Sequence, residues 1–237
     1  MPSPTVVQFK GAVSWAAIPW LDLPVTPDAP TTTGNSVLVF TRAAYGAQTA
    51  APTDGTNTYV ALLQAVGTDP LVEVWIAENI TGTAAAVHTT WPSSNGYLAM
   101  CVVEVTGGDP AAWIDLVASG ILHVAGAATD MTSDPFTTAR AGALVLVCAS
   151  QDASFVATAG ADFTLVTGDF GGGGQLVGLI EQYTPVGTLA GYTAYATSGA
   201  AHPYTIAWVV IQPAGGGGGA ALRSPGGGVA YGASPSY

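Results

Sequence analysis

The sequence predicts an all-β fold, and three observations carry that reading. No window of the 237 residues holds a sustained i, i+3, i+4, i+7 apolar pattern with charged flanks, so helix signals are nearly absent. Short runs rich in Val, Ile, Leu, Thr, Tyr and Trp are divided every 8–15 residues by clusters of Gly, Pro, Asn, Asp and Thr, the spacing of a sandwich or barrel. Four segments of the first half also return, in the same order, in the second half.

In chain order, the first strand is the β-branched run at 5–9, after Ser3-Pro4. Residues 16–33 hold Pro19, Pro24, Pro27 and Pro30 and read as an extended arm. Strands then follow turn residues at 36–41 (after Gly34-Asn35), 58–64 (after Asp54-Gly-Thr-Asn57), 71–77 (after Pro70) and 86–91. The run at 97–105 follows Asn95-Gly96 and is apolar on both faces. Tyr97, Cys101, Val103 and Val105 alternate there with Leu98, Met100 and Val102, as in a central strand covered on both sides. The second half continues with 114–117, 143–149, 163–166, 176–183, 192–197 and 204–212.

The repeat is specific in order and spacing. Gly34-Asn-Ser-Val-Leu-Val-Phe40 returns as Gly142-Ala-Leu-Val-Leu-Val-Cys148, a shift of 108. Ile76 recurs as Ile180 and His88-Thr-Thr-Trp91 as Tyr192-Thr-Ala-Tyr195, both shifted by 104. Tyr97–Val103 recurs as Tyr204–Val210, a shift of 107. The body, 34–213, is therefore expected to be two related halves, about 34–105 and 142–212, with 106–141 crossing between them. An N-terminal strand and arm (1–33) precede it, and a tail (214–237) with nine glycines follows it. That tail composition cannot bury enough apolar surface to order itself, so it is expected to be held by another subunit.

Charge is scarce. The chain has four basic residues, Lys10, Arg42, Arg140 and Arg223, against 15 acids, for a net charge of −11. Charged residues make up 8% of the sequence, where about a quarter is usual. A folded chain of this size exposes roughly 10,000 Å², so charges are spread at about one per 500 Å². Such a surface lacks the groups that keep monomers apart and is expected to face other protein. Four cations do not suffice for phosphate contacts, which excludes nucleic acid as the expected partner, and anionic membranes with it. No stretch approaches the roughly 18 apolar residues of a membrane span. The start shows no basic segment leading into an apolar one, so no secretion signal is expected.

No catalytic constellation stands out, and no cofactor or metal is expected. His88, His123 and His202 lack metal-ligand spacing, and no G-x-S-x-G elbow is present. Glu104 and Glu181 have the chemistry of a glycosidase pair, but each lies near a strand end, where a solvated rim carboxylate is the plainer reading. Asp54-Gly-Thr-Asn57 reads as turn chemistry, and Gly171–Gly174 lacks the Lys-Ser/Thr of a phosphate loop. Cys101 and Cys148 each lie in an apolar run, which leaves a disulfide and two buried free thiols both open, the thiols being plainer. Trp75 and Trp208 sit mid-strand and read as core. Trp15, Trp20, Trp91 and Trp113 sit at expected strand ends or in loops, where binding would use them. With Leu222, Arg223, Tyr231 and Tyr237 of the tail they form the set of candidate interface or ligand contacts.

The Gly-x-x-Val-Leu-Val strand at 34–39, its return at 142–147, Val-Val-Glu-Val-Thr-Gly at 102–107, Glu181-Gln-Tyr183 and Ala-Trp-Val-Val-Ile at 207–211 resemble the jelly-roll-like β-sandwich proteins among the virion structural proteins of tailed bacteriophages. The resemblance spans most of 34–212 and implies a two-sheet antiparallel jelly-roll-like sandwich. It implies a non-enzymatic role in capsid decoration, head fibre or tail accessory structure. The partners would be other virion proteins and copies of the chain itself, and the location the virion. The loop tryptophans keep a second class open, a glycan-binding module or host-receptor adhesin.

Overall fold

A computed structural model describes residues 3–15, 21–43, 49–65, 67–68, 70–91, 97–151, 158–160, 162–167, 177–185 and 187–214. Among them every regular element is a strand. The strands are β1 (Thr5–Trp15), β2 (Leu21–Val25), β3 (Ser36–Ala43), β4 (Val60–Gln64), β5 (Leu71–Ala77), β6 (Val87–Trp91) and β7 (Tyr97–Thr106) in the first half. The second half holds β8 (Gly120–Thr132), β9 (Leu144–Gln151), β10 (Thr158–Ala159), β11 (Thr164–Thr167), β12 (Val177–Tyr183) and β13 (Tyr195–Ile211).

Among the described residues all pairings are antiparallel and build three sheets. One has five strands in the order β1-β7-β3-β5-β4. A second has six, β10-β13-β9-β12-β11 with β8 on the other side of β13. β2 and β6 form a small third sheet. The 17-residue β13 pairs with β10 near its start and with β9 near its end, on the same side, so this sheet curls into a half-barrel. The expected all-β, antiparallel character is therefore present. Jelly-roll wiring sends consecutive strands to opposite sheets; here each large sheet is drawn from one contiguous half of the chain.

Alternation explains the layering. Leu38, Phe40, Val74, Cys101 and Val103 of the first sheet share one core with Leu146, Cys148, Ile180, Ala207 and Val209 of the second. The residues between them face outward into separate cores. Val37, Val39, Trp75, Leu98 and Met100 meet Leu23, Val25, Val87 and Trp91 of the small sheet. Val145, Val147, Ile206, Trp208 and Val210 meet Met131, Phe136, Phe163 and Ala194 inside the half-barrel. Both faces of β3 and β9 are thus covered, which is why all eight residues of each are buried. Val37, Val39, Leu144, Leu146, Val209 and Ile211, expected in the core, are each no more than 1% exposed.

The registers repeat between the sheets. Phe40 pairs with Cys101 and Val74, and Cys148 with Ala207 and Ile180. β4 and β11 carry a bulge at matching places, between Ala61 and Leu63 and between Leu165 and Thr167. The bridge of Phe136 to Tyr192 matches the pairing of Pro24 with His88. These registers move two of the expected matches: Ile180 corresponds to Val74 rather than to Ile76, and Cys101 corresponds to Ala207, which shares its core, rather than to Trp208, which faces the half-barrel. They also give β8, inside the expected crossing segment 106–141, the place that β1 has in the first sheet.

Other differences have local causes. Leu21–Val25 of the expected arm is strand β2, and Leu23 and Val25 are buried against the first sheet. The expected strand 114–117 is only a single bridge at Ile114 followed by a tight turn. The real strand, β8, was hidden by the small residues of Ala125-Gly-Ala-Ala128.

Candidate contact surface

The buried carboxylates are the groups best shielded for chemistry, and each of them holds a loop. Glu104 is 1% exposed, not a solvated rim carboxylate. Its Oε1 accepts from the Thr32 N–H (2.7 Å) and the Asn35 amide (2.6 Å), and its Oε2 from the Gln8 amide (2.6 Å). With its acceptor sites filled by structural donors, it ties the 29–35 loop to β7. The Glu181 side chain lies outside the described residues.

Glu73, on β5, is fully buried on the face covered by the small sheet. Its Oε2 accepts from the Thr49 N–H (3.0 Å), the Thr49 hydroxyl and the Thr41 hydroxyl (3.2 Å), and its Oε1 from the Gln64 amide (3.0 Å). Burial nevertheless raises its pKa above the ordinary glutamate value, against these hydrogen bonds. Burial also acts upward on Asp54, but donors from the Asn57 N–H and amide, the Thr56 N–H and the Tyr59 hydroxyl outweigh it and hold the carboxyl below its usual value. Arg42, 1% exposed, donates from Nη2 to the Gln151 carbonyl (2.9 Å) and so joins the ends of β3 and β9.

Two histidines make polar contacts, and both cysteines are core residues. His88 faces Asp22 across the small sheet (3.3 Å), and His123 lies 3.0 Å from the Thr205 hydroxyl. Cys101 and Cys148 are free, buried thiols in the shared core, and burial pushes Cys148 up to about 12. Among the described residues no group of three His, Cys, Asp or Glu is placed to hold a metal ion.

The surface offers apolar groups instead. Asp115 braces a turn: its Oδ1 accepts from the Ala118 N–H (3.2 Å), its carbonyl from the Ser119 N–H (2.9 Å) and its Oδ2 from the Ala139 N–H (3.0 Å). This turn holds Leu116 54% and Val117 97% exposed. On β1, an outer strand, Val7 and Phe9 are 48% and 41% exposed. At the half-barrel rim, half-buried Tyr183 and Tyr192 stack with centroids 5.6 Å apart, and the Tyr192 hydroxyl donates to Asp162 (3.0 Å).

The expected contact residues fare differently. Trp91 and Trp113 are 0% and 2% exposed, so neither presents a ring to a partner. Trp91 fills the core under the small sheet, and the Trp113 indole donates to Asn79 (3.2 Å) from within the shared core. Trp75 and Trp208 are core residues, as expected. Trp20, Leu222, Arg223, Tyr231 and Tyr237 lie outside the described residues, as does the side chain of Trp15. Val7, Phe9, Leu116 and Val117 escaped the sequence reading because a Val or Leu in a β-run is by default core. Comparison with known protein families, curated proteins and solved structures finds no match for this chain.

Proposed function

We propose that this chain is a non-enzymatic structural subunit that works through contacts with copies of itself and other proteins, of the kind found in tailed-phage virions. The carrying observation is a surface of 10,266 Å² that draws on very few charges. Of the four basic and 15 acidic residues, Arg42, Asp54, Glu73, Glu104 and Asp115 are buried, so at most 14 of the 19 charged residues serve that surface. Val117, Leu116, Val7, Phe9 and Val60 stand out on that surface. In the same reading the two large sheets are related halves of a duplicated unit, packed as a sandwich. The tail beyond Ala214 lies outside the described residues, and this reading expects a neighbour to hold it.

The test is the mass of the purified full chain in solution by size exclusion with light scattering. An oligomer supports the reading. A monomer that binds polysaccharide favours the glycan-binding class, to which the Tyr183–Tyr192 pair beside Asp162 offers a stacking surface with an acceptor. A chain ending at Ala214 is expected to fold yet lose contacts that the full chain makes.

A further inference from the structure

We infer that the outer edge of β1 pairs antiparallel with β1 of a second copy, joining two five-stranded sheets across a two-fold axis. This rests on the assembly reading and names one contact within it. β1 is 11 residues long, pairs with β7 on one side, and has no strand paired to its other edge among the described residues. Such an edge carries a row of backbone donors and acceptors that another strand can take up.

The edge lacks most of what keeps edges apart. It has no Pro and no acid, and its bulge, between Val6 and Gln8, leaves Gln8–Trp15 in unbroken register with β7. Phe9 aligns with Val103, whose side chain is in the shared core, yet Phe9 is 41% exposed. The seam between the large sheets is therefore uncovered at β1. The one charge on β1, Lys10, already meets Asp28 at 2.7 Å.

A second copy is the occupant that this chemistry favours. Two chains of net charge −11 repel, and contact is least opposed where the local charge is balanced. Lys10 and Asp28 make each edge locally neutral, so two such edges meet as balanced pairs. A two-fold makes the contact self-complementary, and strands related by it run antiparallel. Gly11 and Ala12, in the middle of the regular stretch, put no bulk at the centre of the contact.

The experiment compares the full chain with Phe9→Lys and Val117→Lys by size exclusion with light scattering, with hydrogen exchange read on residues 5–15. Both side chains are exposed, and far-UV circular dichroism and the melting temperature check that each variant folds. The expected result is a wild-type oligomer that Phe9→Lys weakens at least tenfold and Val117→Lys does not, with β1 amides losing protection only in Phe9→Lys. An oligomer that Phe9→Lys leaves intact, or that Val117→Lys dissociates instead, overturns the β1 contact while the assembly reading stands. A wild-type chain that is monomeric at every concentration overturns the β1 contact as well, and leaves the assembly reading to be judged with its other partners.

Discussion

Glu73 gives the sharpest test of how this fold treats a buried charge. Replacing it with Ala removes the acceptor of the Thr49 N–H, two threonine hydroxyls and the Gln64 amide. The Thr41 and Thr49 hydroxyls, 3.4 Å apart, can turn to one another, and Gln64 is half-buried, so the backbone N–H of Thr49 is the group left stranded. A stranded buried donor costs about 1–3 kcal/mol. The cavity left at a fully buried site adds to this, for a total of about 3–5 kcal/mol. Glu73→Gln keeps the shape and one acceptor oxygen and removes the burial of a charge, so a change within about 1 kcal/mol is expected.

The pH dependence separates charge from shape. The folded-state pKa of Glu73 is raised, so the stability it contributes is fully present below about 4.5 and is lost as pH rises through the folded value. Urea unfolding of wild type, Glu73→Ala and Glu73→Gln between pH 4 and 8 reads both effects. Glu73→Gln should remove the loss that wild type shows on going upward in pH. The reasoning is refuted if Glu73→Ala costs under about 1 kcal/mol, or if Glu73→Gln is as damaging as Ala, since the charge itself would then be needed.

Three further outcomes are expected. Cys101 and Cys148 should be inert to a thiol reagent in the native chain and react together on denaturation, because both are buried and burial raises both pKa values. Gly120→Ala drives a Cβ against the edge of the Trp208 ring and should cost about 1–3 kcal/mol in urea unfolding, while Gly126→Ala, with open space around it, should stay within about 1 kcal/mol of wild type. Arg140→Ala should cost about 1–2 kcal/mol by removing the donor to Asp109 (2.7 Å) and to the Pro213 carbonyl (3.3 Å). Arg140 holds Asp109 below its usual pKa, so that contribution is present above about 3.8 and lost as pH falls through the folded value; acid unfolding of the variant should lack it.

The sequence made the core legible where strands are covered on both faces. Val37–Phe40 and Ala143–Cys148 are apolar without alternation, and their strands β3 and β9 are buried throughout, as is β5. The repeat was legible in order but not in register, because Tyr97 and Tyr204 align by identity while the faces align one residue away. β8 was not legible: a strand lined by Ala and Gly has weak propensity and owes its place to pairing with β13. Trp91 and Trp113 illustrate the limit for surface residues. Strand ends and loops are exposed on average, but here one tryptophan ends β6 with its ring packed against the first sheet, and the other packs against Gly108, whose missing side chain makes the room.

Charge poverty gains a structural meaning from where the few charges sit. Glu104 fixes Thr32 and Asn35, Glu73 fixes Thr49, Asp54 fixes the 54–59 turn, Asp115 fixes the 115–119 turn, and Asp109 pairs with Arg140 beside Pro213. In all five cases the carboxylate accepts from a backbone N–H of a connecting segment, which a loop without regular pairing could not otherwise satisfy. A fold with long connections between three cores needs such ties, and this chain assigns five of its 15 acids to them. On the outside, the exposed apolar side chains Val7, Phe9, Val60, Leu116 and Val117 stand among the remaining charges. Solubility through mutual repulsion falls to the net charge of −11 spread thinly, which opposes indiscriminate sticking but does not oppose contact at a locally neutral edge. On this account the scarcity of charge and the readiness of one edge to pair have the same origin: carboxylates used inside to hold loops are not available outside to keep copies apart.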